Sequence, residues 1–167
     1  MLVVFSGLPG TGKTTIARRV SMDLWAMYMR IDSVEVALFK AGVAPGEMAD
    51  KGYAVAAAIA LDNLLMGNTL VIDAVNATSA SRELWREVAA KSGKVVREIG
   101  LVCSDQEEHR RRVENRVPDI PGFVPPTWEE VLARNYESWD DAHLTIDTGK
   151  LTVDQAVMGI ISYLKNR

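Results

Sequence analysis

Apolar residues along the chain fall into short continuous runs separated by longer amphipathic stretches. Leu2-Val3-Val4-Phe5, Ala26 to Ile31, Thr69 to Ile72, a run within Lys94 to Cys103, and His143 to Ile146 are each too short for a helix and nearly all apolar. Such runs suit strands buried on both faces. Between them the pattern predicts helices over Lys13–Leu24, Val34–Lys40, about Glu47–Met66, Ser79–Lys91, from Ser104, from Thr127 to about Trp139, and after Thr152. Capping boxes Ser104/Glu107, Thr127/Glu130 and Thr152/Gln155 mark three of the starts. Glu47 to Met66 is apolar on nearly every side, which predicts a buried helix. Ala41 to Gly46 reads as a loop able to move, and Pro118 to Pro126, with four prolines in nine residues, cannot be regular structure. Alternating strands and helices predict a parallel sheet between two helical layers, in one domain spanning residues 1–167.

One junction is more specific. Gly7-Leu8-Pro9-Gly10-Thr11-Gly12-Lys13-Thr14, followed by Thr15, fits G-x-x-x-x-G-K-[ST] between a strand and a helix. Glycines there let successive N–H groups turn toward a polyphosphate, and the helix adds its positive end. Lys13 would reach the β- and γ-phosphates, and the Thr14 hydroxyl would take one Mg²⁺ position. A merely glycine-rich turn would match these four positions by accident only about once in a few hundred chains of this length.

In such sheets ligands sit beyond the carboxyl ends of the strands, which gathers Ser6 to Thr14, Asp32, Asp73 and Asp147-Thr148 on one rim. Asp73, closing Leu70-Val71-Ile72, predicts a magnesium ligand or a partner for Thr14, although aspartate after a strand also serves as a helix cap. Asp32 is placed to take a proton from an acceptor hydroxyl or, equally, to cap the helix of Ser33. In Glu107 to Arg116, Glu107 with Arg111 and Glu108 with Arg112 pair at i, i+4 as a solvated face would. Arg112 and Arg116 are one turn apart, where like charges repel, so an anion between them would make this stretch a lid stabilising charge in phosphoryl transfer. Arg82 and Arg86, flanked by Glu83 and Glu87, read as solvated surface. His109 and His143 have no partner at metal-ligand spacing. Trp25, Trp85, Trp128, Trp139 and Phe123 read as packing residues.

With 48% hydrophobic and 25% charged residues among 167, the composition is that of an ordinary globule. The net charge of −3 argues against a nucleic-acid partner. The lone Cys103, between apolar neighbours, predicts a buried strand thiol and a reducing compartment. No secretory leader or membrane-length apolar run is present, so the expected location is cytoplasmic with no membrane partner.

On these residues the chain resembles the small P-loop kinases grouped around zeta toxins, chloramphenicol phosphotransferase, gluconate kinase and the kinase domain of polynucleotide kinases. The likeness runs nearly end to end through Gly7 to Thr15, Asp32, Val71-Ile72-Asp73-Ala74, Arg112, Arg116 and Ile146-Asp147-Thr148. It implies a three-layer α/β/α fold like that of the nucleoside-monophosphate kinases, sheet order 2-3-1-4-5, a short lid over about 109–127, and ATP with Mg²⁺ as cofactors. It implies Asp32 as base, with the adenine resting against Arg112 and the loop from Thr148 to Lys150. The expected activity is transfer of the γ-phosphate to a hydroxyl of a small molecule such as a metabolite, sugar, nucleoside or antibiotic. An ATP-dependent switch without transfer, and a zeta-toxin-like nucleotide-sugar kinase, are the alternatives. Adenylylsulfate kinase is similar too, but its acidic-glycine-acidic pattern after the second strand is replaced by Ile31-Asp32-Ser33. Monomer and homodimer both remain open.

Overall fold

The computed structural model describes residues 1–139 and 144–166, without the side chains of residues 49 and 50. Five strands, β1 (Leu2–Ser6), β2 (Met27–Arg30), β3 (Leu70–Asp73), β4 (Val96–Val102) and β5 (Leu144–Asp147), form one parallel sheet in the order 2-3-1-4-5. All four pairings are parallel, with β1 central between β3 and β4. The expected sheet order is therefore present. His143, expected to open the fifth strand, lies outside the described residues.

The two-residue alternation of the strands divides the core into two layers. Leu2, Val4, Leu70 and Ile72 face one layer, packed by Ala56, Ala60 and Leu64 of α3 (Met48–Leu65) and by Trp85 and Val88 of α4 (Ser79–Ser92). Val3, Phe5, Val71, Ile99 and Ile146 face the other, against Ile16 and Val20 of α1 (Lys13–Asp23) and Val157 and Ile160 of α7 (Val153–Lys165). Each central strand is thus covered on both sides, and its functional groups emerge only at its carboxyl end. Among the described residues no helix is long and apolar enough to cross a membrane.

Several expected elements are corrected. α3 is not buried all round: Val55, Ile59 and Leu65 are exposed, and Ala56, Ala57, Ala60 and Leu64 make the buried face. The helix α2 (Ile31–Lys40) starts earlier than expected, so Asp32 lies in its first turn and not at a strand end. α5 (Gln106–Glu114) is capped by Asp105, whose side chain accepts from Glu108 N, and not by Ser104 with Glu107. α6 (Trp128–Ala133) starts at the expected Thr127–Glu130 box but stops six residues short of Trp139. The reason lies in Arg82, expected on a solvated surface but buried. It donates to the carbonyls of Asn76, Ala77, Glu137 and Ser138 and faces the rings of Tyr136 and Trp139. Those bonds tie the chain at Glu137 and Ser138 to the turn before α4. Trp85 and Trp128 are buried as expected, whereas Trp25 is 96% exposed at a positive φ. Cys103 lies just past the end of β4 and is only partly buried.

Candidate active site

The turn from β1 into α1 is built for close approach of an anion. Gly7, Gly10 and Gly12 all take positive φ, 146°, 85° and 87°, which only glycine adopts without strain. Thr11 Oγ1 and Lys13 Nζ both donate to Leu8 O, at 2.8 and 2.9 Å, drawing the loop closed around its own carbonyl. From outside, His109 Nε2 lies 2.8 Å from Pro9 O, and since a carbonyl only accepts, that nitrogen carries the proton. The His109 ring packs edge-on to Trp128, 5.2 Å between centroids. His109, left unassigned from sequence, is thus the brace of the loop. Burial pushes the Lys13 ammonium down to about 8, against the pull of Asp73 and Asp32.

Asp73, at the end of β3, accepts from Thr14 Oγ1 at 2.7 Å and from the Tyr28 hydroxyl at 2.7 Å, both on Oδ2. The Thr14 proton is thereby committed, leaving the hydroxyl lone pairs for a cation. Burial and the Asp73 carboxylate push the Tyr28 phenol well above its usual range, so it stays a donor.

Asp32 makes no side-chain cap for α2; the residue in the cap position is Arg30, without a capping bond. Asp32 Oδ2 instead accepts from Arg30 at 3.1 and 3.3 Å and lies 3.6 Å from Arg116 Nη2, while Oδ1 has no hydrogen bond among the described residues. Arg30, buried at the end of β2, also binds Asp119 of the proline-rich loop at 2.8 and 3.0 Å and lies 4.0 Å from Asp73. Asp119 accepts from Arg18 as well, and its bonds to Arg30 and Arg18 hold its carboxyl down at about 2. Arg116 stacks on Phe123 at 5.0 Å, so Phe123 is a platform for arginine and not a core residue.

Arg112 and Arg116 part company. Arg116 lies beyond the end of α5, whereas Arg112 donates to Glu108 at 2.7 Å and to Thr148 Oγ1 and O at 2.9 and 3.1 Å. Glu108 takes both Arg111 and Arg112, so the expected Glu107–Arg111 pair is not the one formed. Thr148 Oγ1 lies 3.0 Å from Thr11 O, which ties the loop after β5 to the phosphate loop. Gly12, Thr15, Arg112, Thr148, Leu151 and Val153 enclose a notch of about 360 Å³.

A larger cleft of about 1340 Å³ runs past Gly10, Lys13, Thr14, Asp32, Asp73, Arg112 and Arg116. The structure thus brings the loop, both aspartates and both arginines to one cleft. The sequence reading missed Tyr28, Arg30, Asp119 and Glu35. Tyr28 and Arg30 sit inside a run taken as a plain strand, and Asp119 inside a run taken as merely irregular.

A parallel sheet in this order, with a phosphate loop after its central strand and a carboxylate on the next strand bonded to the loop threonine, defines the P-loop fold of the small kinases. Residues 2–134 match the model of a family described as AAA domain, and the chain belongs to that family. No curated protein matches the sequence.

Solved structures match over almost the whole chain. A protein of Chloroflexus aurantiacus described provisionally as a kinase is 18% identical with a TM-score of 0.76, the match covering 99% of this chain and 96% of that one. A sugar kinase of Janibacter is 20% identical with a TM-score of 0.73, covering 98% and 94%. An APS kinase of Mycobacterium tuberculosis, solved with AMPPNP and APS, is 20% identical with a TM-score of 0.70, covering 98% and 96%. At such identities the likeness establishes the fold.

Proposed function

We propose that the protein is an ATP-dependent phosphotransferase that moves the γ-phosphoryl group of Mg·ATP to a hydroxyl of a small molecule. The observation that carries this reading is the single cleft in which Lys13, the Thr14–Asp73 pair and Asp32 meet. The triphosphate would lie along the N–H groups of Gly10 to Thr14, with Lys13 on its β- and γ-oxygens. The adenine would occupy the notch between Arg112 and Thr148.

The donor set fits magnesium, because Thr14 Oγ1 and Asp73 are hard oxygens. Among the described residues no group of three or more His, Cys, Asp or Glu side chains could hold a metal, which suits an ion held largely by water and phosphate. Bound there, Mg²⁺ would offset phosphate charge.

Asp32 Oδ1 would accept the proton of the acceptor hydroxyl, while Oδ2 stays fixed by Arg30. The acceptor oxygen would form the new P–O bond as the bond between the γ-phosphorus and the β–γ bridging oxygen breaks, releasing ADP. Arg116, stacked on Phe123 and 3.6 Å from Asp32, would stabilise equatorial charge during transfer.

The test is acceptor-stimulated ADP release across sugars, polyols, nucleosides, amino sugars and phenicols. Lys13→Ala should abolish turnover. Asp32→Asn should lower kcat by about 10²- to 10⁴-fold with ATP affinity unchanged. Full turnover by the Asp32 variant would remove it as base, and ATP binding without stimulation by any acceptor would favour a nucleotide switch.

A further inference from the structure

Of the carboxyls lining the cleft, Asp119 is held by Arg18 and Arg30 and Glu130 caps α6, which leaves Glu35 outside both the transfer chemistry and these contacts. Glu35 lies one turn beyond Asp32 on α2, and both line the cleft. Residues three apart on a helix share a face, with Cβ atoms about 5–6 Å apart. Glu35 makes no hydrogen bond or ion pair among the described residues, although its side chain is only partly exposed.

Its setting is shaped by α3. A Cβ added at Gly52 would come within 2.8 Å of Glu35 Cγ, so the glycine is what lets α3 close on the stem of the glutamate. Ile31, Tyr53, Ala54 and Leu84 contribute apolar or half-apolar surface to the same cleft. The charges that act on Glu35 are Asp32 on its own helix and Arg134 at the end of α6. Burial outweighs the arginine and, with Asp32, pushes the carboxyl up to about 7. A carboxyl half-buried against apolar surface, with no hydrogen-bond partner among the described residues, is costly unless a ligand supplies the missing donor.

We propose that Glu35 fixes the phosphate acceptor by accepting a hydrogen bond from its second donor group. The acceptor is then a diol or amino alcohol whose reactive hydroxyl faces Asp32 and whose other hydroxyl or ammonium, on an adjacent or next-but-one carbon, faces Glu35. The spacing of the two side chains on one helical face sets that separation. This assignment rests on the kinase reading.

The experiment uses the full chain with Mg·ATP and a panel of polyols and amino sugars, each paired with its monodeoxy or N-acetyl counterpart. For any compound that stimulates ADP release, removing the second donor should lower kcat/KM by about 10- to 150-fold, the range for a hydrogen bond to a charged group. Glu35→Ala should reproduce that loss mainly through KM. Glu35→Gln separates the sources, since its amide oxygen still accepts from a hydroxyl but cannot neutralise an ammonium. Thermal unfolding of both variants checks that the fold is intact.

A stimulating acceptor with a single hydroxyl, or a Glu35→Ala enzyme within twofold of the parent, would overturn the proposal. Where no compound stimulates, the ¹³C resonance of the Glu35 carboxyl is titrated against the same panel. A midpoint drawn below 7 by a diol or amino alcohol supports the assignment. A carboxyl indifferent to every member, with ATP still bound, overturns it and leaves nucleotide binding standing. Loss of ATP binding itself would instead sink the kinase reading.

Discussion

Lys13 shows how much of the chemistry is decided at single residues. Burial lowers its ammonium to about 8 while Asp73 and Asp32 pull the other way. A triphosphate arriving beside it favours the charged form, so the pKa in the complex must be higher than in the free protein. The sign follows by linkage: affinity for nucleotide is full below about 8 and falls as pH rises from there toward the pKa of the complex. Calorimetry from pH 6.5 to 9.5, in buffers of different ionisation enthalpy, should show proton uptake on ATP binding above pH 8. Affinity should weaken there by up to about tenfold per pH unit, and Lys13→Met should remove both effects. Constant affinity to pH 9.5 without proton uptake would contradict the role. Lys13 and Thr14 were legible because one motif fixes both, and Asp73 was legible as a partner for Thr14 because it closes a short apolar strand. Arg30 was not: its hydrogen bonds go to Asp32, two residues away, and to Asp119, which no local pattern pairs with it.

Among the elements, caps were legible where the reciprocal bonds are local, as in Thr127 with Glu130 and Thr152 with Gln155. The start of α5 was misread by one residue because Ser104 and Asp105 are both good caps. Tertiary geometry chose the aspartate, while Ser104 N turns to Asp147 Oδ1 at 3.0 Å. The stop of α6 could not be read at all, since what ends it is a guanidinium more than fifty residues earlier. Arg82 spans the turn after β3 and the strap after α6, with four carbonyls as acceptors. Removing it leaves those carbonyls without their donor at a partly buried site, where hydrogen bonds to a charged group are worth about 1.5–3 kcal/mol each before relaxation and water entry. Arg82→Ala should therefore lower unfolding stability by about 2–4 kcal/mol, read from the urea midpoint. Arg82→Lys should recover only part of this, because an ammonium cannot match the planar fork. A loss within 0.5 kcal/mol, the range of ordinary surface changes, would return Arg82 to the solvated face expected from its sequence.

At the scale of the whole molecule, the sheet order makes ligand binding and folding one problem. The cleft draws on the ends of β1, β2 and β3, on α2 and on the proline-rich loop, and the adjoining notch draws on the loop after β5. Asp119 then bridges Arg18 of α1 and Arg30 of β2, so the loop after α5 leans on two elements from the other end of the chain. A ligand that touches all of these binds the native state and has no equivalent site on an unfolded chain. At a hundredfold excess over its Kd it should add about 2.7 kcal/mol of stability. For a chain of this size, where 1 kcal/mol moves Tm by about 2–4 °C, Mg·ATP should raise Tm by about 5–11 °C. Lys13→Ala should abolish that rise with the Tm of the free protein nearly unchanged, since among the described residues the Lys13 ammonium bonds only Leu8 O. Asp119→Ala should keep part of the rise, because it loosens the proline-rich loop without touching the phosphate loop. If Mg·ATP left Tm unmoved while a different nucleotide raised it, the fold assignment would stand and the notch between Arg112 and Thr148 would become the candidate site for that other base.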